Sequence, residues 1–162
     1  MSTEVDLGYE ARPQFEAFHA RLQRWAVIVA HRRAGKTVAC ILDLIDAALR
    51  CPKPRPRYAY IAPQLKQAKT VAWDYVKHYG ARLPGATINE SELRLDLHNG
   101  GQVRLHGSDN PDALRGIYLD GAVLDEAADA SPRLFTEVIR PALADREGGC
   151  VWIGTPDRKS VV

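Results

Sequence analysis

"WAVIVAHRRAGKT", residues 25–37, is the stretch on which the fold turns. Residues 25–31 read as a strand, and their apolar run predicts one buried on both faces. From residue 35, "GKTVACILDLIDAALR" (35–50) sets apolar residues at 38, 41, 42, 45, 48 and 49, the spacing of a helix with one buried face. Between them, "AHRRAGKT" (30–37) nearly matches G-x-x-x-x-G-K-[ST], with Ala30 where the first glycine should stand. A loop between a buried strand and a helix start turns successive backbone N–H groups toward an anion, with the helix dipole behind them. On that reading the loop, from Arg32 and Arg33 through Ala34 and Gly35, cradles phosphate. Lys36 reaches the β- and γ-phosphates, and Thr37 sets its hydroxyl on Mg²⁺. The plain alternative is a basic turn that contains a glycine.

The rest of the chain keeps the same rhythm of short apolar runs and amphipathic stretches, which predicts a mainly parallel sheet covered by helices. Residues 13–22 are expected to be a short helix. "CPKPRPR" (51–57) cannot be helical with three alternating prolines, so it reads as an exposed, basic connection. A strand at 58–62 leads into a helix from near Pro63, with Leu65, Ala68, Ala72, Val76 and Tyr79 on one stripe. "ELRLDLHNGGQVRLHGS" (92–108) alternates on either side of "NGG" and predicts a hairpin. A strand at 121–126, a helix around 131–143 and a strand at 150–156 complete the order.

Composition narrows the function classes. With 162 residues, 46% hydrophobic and 26% charged, the chain fits one domain with a real core. A net charge of +2 is too near neutral to mark a nucleic-acid binder, so any DNA contact must come from a local patch. Three scattered cysteines suit buried thiols in a reducing cytoplasm, and five histidines show no metal-ligand spacing. No apolar run approaches the ~18 residues of a membrane helix, and the polar start is unlike a signal peptide.

The acidic strand supplies the second half of a site. "GAVLDE" (121–126) delivers Asp125 and Glu126 at its carboxyl end, where open α/β sheets hold ligands. Asp125 suits the water shell of Mg²⁺, and Glu126 suits the orientation and deprotonation of an attacking water. A helix start with acidic residues near its dipole would explain one carboxylate more easily than the pair.

With these residues in place, the chain resembles the ATPase domain of the large terminase subunit, the motor that packages DNA into tailed-phage heads. The resemblance runs from about Pro13 to Pro156. That family commonly carries R-x-x-G-K-[ST] without the first glycine, and "RRAGKT" matches it. Ala30 then requires a different backbone path or a strain of about 1 kcal/mol or more. "RPQFEAF" resembles the adenine-contacting segment, which implies that Gln14 reads the base. "YAYIAPQLKQAKTVAWDYV" resembles the second motif, and "GSDNPDALRGIYLDGAVLDEA" carries the family's L-R-G ahead of the acidic strand. "WIGTP" resembles the coupling motif, with Thr155 placed to sense the γ-phosphate.

The resemblance also sorts the arginines. It implies that Arg32 contacts the γ-phosphate in cis and that Arg115, in L-R-G, reaches a neighbouring subunit's site as a finger. The alternative for Arg115 is a structural ion pair under the hairpin. Arg33 is expected to face solvent or backbone carbonyls. Lys53, Arg55, Arg57, Lys66, Lys69 and Lys77 form a candidate DNA-facing set, or simply a solvated face.

The resemblance implies a P-loop NTPase fold of the ASCE type: an open, mainly parallel sheet with helices on both faces and a β-hairpin insertion. It implies ATP and Mg²⁺ as cofactors. Double-stranded DNA, a portal protein and a small terminase subunit are the implied partners, with assembly as a ring in the host cytoplasm. Residues 1–162 are expected to form one such ATPase domain, shortened at its C-terminal end and without a nuclease domain. Two rival readings remain: a DExx helicase-like ATPase, and a domain that binds nucleotide without turnover.

Overall fold

The computed structural model describes residues 6–31 and 34–156. The first helix, α1 (Pro13–His19), has proline in its first turn and buries Phe15. It stops three residues short of the expected end. Strand β1 (Trp25–Val29) leads through the phosphate-loop segment into α2 (Lys36–Arg50), and β2 (Arg57–Ala62) follows the proline-rich connection. Helix α3 comprises Leu65–Ala68, a π-helical turn at Lys69–Trp73, and Asp74–Gly80. The wider turn brings Trp73 fully into the core beside Ala72, while Leu65 at the head of the expected stripe stays exposed.

Three strands follow: β3 (Thr87–Asn89), β4 (Arg94–Asp96) and β5 (Gln102–Gly107). A 3-10 turn at Pro111–Leu114 precedes the acidic strand β6 (Gly121–Leu124). Helix α4 comprises a π-helical segment, Leu134–Ile139, and Arg140–Ala144, and β7 (Gly149–Gly154) ends the described sheet.

The seven strands form one sheet in the order β1-β7-β6-β2-β5-β4-β3. From β1 to β5 all neighbours are parallel; β5-β4 and β4-β3 are antiparallel. The hairpin expected at 92–108 is present, and its second strand is the parallel neighbour of β2, so it continues the sheet. One strand, β7, separates the phosphate-loop strand from the acidic strand, which is the ASCE ordering. The fold is that of a P-loop NTPase.

Helices α2 and α3 cover one face. They bury Ile41, Ile45, Ala68, Trp73 and Val76 against Tyr60, Val103, Leu105, Val123 and Val151. Each large apolar side chain so buried contributes about 1.5–3 kcal/mol. On the other face α4 and the 3-10 turn pack Leu114, Leu134, Val138, Ile139 and Leu143 onto Ala59, Ile61, Ala122, Leu124 and Cys150. Cys40 and Cys150 are buried free thiols, and Cys51 is half-buried.

The flanks of that second face differ. At β4 and β5 it is polar, with Arg94 bonded to Glu92 and Asp96, and Arg104 near Glu92. At β1 it is apolar. Trp25 is 40% exposed, Val27 71% and Val29 65%, so this strand is not buried on both faces as its composition suggested. It lies at the sheet edge, and only Ala26 and Ile28 face the covered core. A buried parallel strand and an apolar edge strand have the same composition, which is why the run misleads.

The proline-rich connection is fastened rather than loose. The buried Asp120 carboxylate accepts from the Arg57 N–H at 2.8 Å and from Arg146 Nε at 2.9 Å. Arg146 also donates to the Pro54 carbonyl at 2.7 Å. Lys53 donates to the Arg146 carbonyl and Arg57 to the Gly100 carbonyl, so two of the basic side chains serve the backbone.

On β5, burial and the nearby Arg104 charge push the His106 imidazole down to about 4. The unfolded chain titrates near 6.5, so below that pH the unfolded state gains protons first. We expect stability to fall by up to about 3 kcal/mol as pH drops from 6.5 to 4. His106→Gln should flatten that slope in urea denaturation; an unchanged slope would show that His106 is solvated.

Candidate active site

Three chain segments meet at the carboxyl ends of β1, β7 and β6. In the first, α2 is preceded by its N-cap Gly35, which takes the left-handed conformation at φ 90°. A side chain there would be strained, and its Cβ would stand 3.3 Å from the Arg12 guanidinium carbon. No side chain caps this helix start and its first turn carries no acidic residue, so the leading N–H groups offer an anion site. Ala30 is not among the positive-φ residues, and its N–H donates to the Gly154 carbonyl at 3.2 Å. The loop therefore leaves the strand on a path that does not need the missing glycine. Arg32 and Arg33 lie outside the described residues.

Lys36 is buried and bridges the first two segments. Its Nζ donates to the Ala30 carbonyl at 2.9 Å and to Thr155 Oγ1 at 2.7 Å. Thr155 follows β7, whose Gly154 is the register partner of Val29. The residue replacing the first glycine thus supplies, through its carbonyl, one holder of the phosphate-loop lysine.

The third segment is the end of β6. The strand stops at Leu124, and Asp125 is buried with its N–H donating to the Ile61 carbonyl at 2.8 Å. Asp125 Oδ2 accepts from the Tyr60 hydroxyl at 2.5 Å, and Oδ1 accepts from the Glu126 N–H at 2.8 Å. Burial, then Asp125, push the Tyr60 phenol far above its ordinary range, while the Thr37 hydroxyl beside it acts in the opposite direction. Glu126 adopts φ 50°, ψ 48°. That left-handed conformation costs a residue with a side chain of order 1–3 kcal/mol, and such strain clusters at functional positions. Cys40 lies beneath the site within reach of the Asp125 and Lys36 charges; burial above all pushes its thiol up and keeps it protonated.

The geometry brings together Ala34, Gly35, Lys36, Thr37, Asp125, Glu126 and Thr155. It sets Arg115 apart. Leu114 anchors the L-R-G segment in the second core and Gly116 turns left-handed. Arg115 projects outward, 58% exposed, with Asp112 at 3.4 Å. Gln14 is exposed on α1, and its amide reaches the Ala34 carbonyl only at 3.5 Å.

A cleft of about 290 Å³ beside the loop is lined by Arg12 and Phe15 of the "RPQFEAF" segment, by Gly35 and Val38, and by Tyr9, Tyr75 and Tyr79, whose place at a site the sequence reading missed. The spacing of Tyr75 and Tyr79, one turn apart, was the available signal. A larger cleft, about 490 Å³, lies at the opposite, amino ends of β2, β6 and β7. On its wall Arg21 pairs with Asp43 at 2.8 Å and Asp120 with Arg146. Among the described residues no helix is long and apolar enough to cross a membrane.

No protein-family model matches the sequence. The large terminase subunit of Thermus virus P23-45 is 27% identical to 93% of this chain, and the chain spans 34% of that relative. The solved ATPase domain of the Thermus phage P74-26 large terminase superposes with a TM-score of 0.76 at 26% identity, over 93% of this chain and 67% of that one. A large terminase from the thermophilic bacteriophage D6E in complex with ADP shares the fold at 17% identity and a TM-score of 0.62, over 79% of this chain and 33% of that one. The resemblance seen in the sequence is thus to ATPase domains of large terminase subunits, and the chain spans about a third of the curated relative's length.

Because Gly35 combines a positive φ with a close neighbour, Gly35→Ala should lower stability by about 1–2 kcal/mol. Urea denaturation checks this. An unaltered midpoint would show that the loop relaxes freely.

Proposed function

We propose that this chain is a Mg²⁺-dependent ATPase and serves as the hydrolytic unit of a machine that drives double-stranded DNA into a phage procapsid. The observation that carries the proposal is the Lys36 bridge. One buried ammonium ties the phosphate loop to Thr155 at the end of β7, beside the strand that ends in Asp125. Three motifs distant in sequence converge there, and the similarity to large terminase ATPase domains supports the same reading.

The residues present fit the nucleotide. The uncapped start of α2 and the left-handed Gly35 suit phosphate oxygens, and Lys36 carries three donors that can exchange neutral oxygens for anionic ones. The aromatic cleft of Tyr9, Tyr75 and Tyr79 suits a stacked base. Gln14 and Arg12 stand at its border with the loop.

The residues also fit Mg²⁺. Thr37 and Asp125 offer hard oxygen donors, and the two would hold the ion. When bound, Mg²⁺ neutralises charge developing on the phosphates. Glu126 orients the attacking water and accepts its proton, and Thr155 senses whether the γ-phosphate is present. Arg32 contacts the γ-phosphate within the same chain. Arg115 is exposed and paired with Asp112; in a ring it would serve the site of a neighbouring subunit. Portal and small terminase subunits are the proposed assembly partners, in the host cytoplasm.

Steady-state phosphate release from ATP with Mg²⁺ tests the reading. Turnover should fall at least about 100-fold in Glu126→Ala and in Lys36→Ala. Lys36→Ala should also lose nucleotide affinity, whereas Glu126→Ala should keep it. Tyr75→Ala should weaken nucleotide binding about tenfold through lost stacking. Turnover that survives both catalytic substitutions would place the chemistry elsewhere.

A further inference from the structure

Tyr60 stands out as a buried polar group that the proposed reaction does not use. It is fully buried on β2 within an otherwise apolar cluster that includes Ile41, Ala62, Val123 and Ile153. Packing alone would be served by phenylalanine. Its hydroxyl instead donates to Asp125 Oδ2 at 2.5 Å and lies beside the Thr37 hydroxyl. Thr37 belongs to the phosphate-loop helix and Asp125 to the end of β6, so one phenol links two elements that share no backbone ladder.

The contact fixes a direction as well as a distance. Asp125 is held at Oδ1 by the Glu126 N–H and at Oδ2 by Tyr60, and these two bonds set the carboxylate plane. Each oxygen accepts one hydrogen bond and keeps a further lone pair. Tyr60 itself is placed by the parallel ladder in which its partner is Val123, two residues before Asp125. Outer partners of this kind set the orientation of metal-binding groups and strongly affect metal affinity.

We infer that Tyr60 is a positioning residue for Mg²⁺: it holds the Asp125 carboxylate in register with the Thr37 hydroxyl, so that the ion enters a pre-ordered pair of oxygen donors. The inference rests on the nucleotide-site reading above. Fully buried and bonded to Asp125, Tyr60 would touch neither nucleotide nor the reacting atoms. Its removal should therefore act on the Mg²⁺-dependent part of nucleotide affinity and spare the rest.

The test is calorimetric titration of ADP into the 162-residue chain, in EDTA and across a Mg²⁺ series, for wild type, Tyr60→Phe, Asp125→Asn and the double variant. Tyr60→Phe should raise the Mg²⁺ concentration for half-maximal effect about tenfold. ADP affinity in EDTA should not change. In the Asp125→Asn background, Tyr60→Phe should add no further Mg²⁺ penalty, since there is no longer a carboxylate to orient. That background also removes the unpaired buried charge, and so covers the case in which Tyr60→Phe alone folds poorly.

A wild-type Mg²⁺ response in Tyr60→Phe, or an undiminished penalty in the double variant, would overturn the inference and leave the nucleotide site intact. Wild type that binds no ADP at all would overturn both.

Discussion

A buried ammonium is among the costliest groups to place inside a protein, and the site depends on how Lys36 is held. Its charge is taken from water and given two neutral oxygens, the Ala30 carbonyl and the Thr155 hydroxyl. Neutral acceptors only partly replace hydration. The arrangement leaves a cation whose energy would fall on meeting an anion, at the place where the start of α2 presents backbone donors. The same bond ties the ends of β1 and β7 together. Loss of Lys36 would remove both a charge and a tether.

The strand order makes that bond possible. With β7 between β1 and β6, the residue that follows β7 stands next to both the phosphate loop and the acidic turn. Lys36 reaches Thr155, Tyr60 reaches Asp125, and Thr37 lies beside Tyr60. Apolar cores on the two faces fix the strands, and polar contacts at their carboxyl ends fix the side chains. Arg115 belongs to neither network. Its anchor Leu114 is buried while its guanidinium faces outward.

Much of this was legible in the sequence because it rests on local patterns. The phosphate loop and the acidic strand are each contiguous motifs, and the order of strands and helices follows from periodicity. What escaped was set by position in the sheet or by contacts across it. The run at 25–31 is as apolar as a central strand, and only the sheet order reveals an edge with Val27 and Val29 exposed. The hairpin signal gave the turn but not the parallel pairing of β5 with β2. A strict helical period missed the π-helical turn that buries Trp73. Tyr60 read as one more aromatic in a strand, and its bond to a residue 65 positions away is invisible without the fold. Tyr9 and Tyr75 come to the cleft beside the loop through tertiary packing.

The most direct test of a working nucleotide site is a crystal structure of the chain grown with Mg²⁺ and a slowly hydrolysed ATP analogue. We expect the β- and γ-phosphates over the start of α2 with Lys36 transferred from the Ala30 carbonyl to a phosphate oxygen. Mg²⁺ is expected between Thr37 and Asp125, and the base against Tyr75. Analogue bound in the cleft at the amino ends of the strands, or a Lys36 still bonded to Ala30 beneath a bound nucleotide, would contradict this expectation.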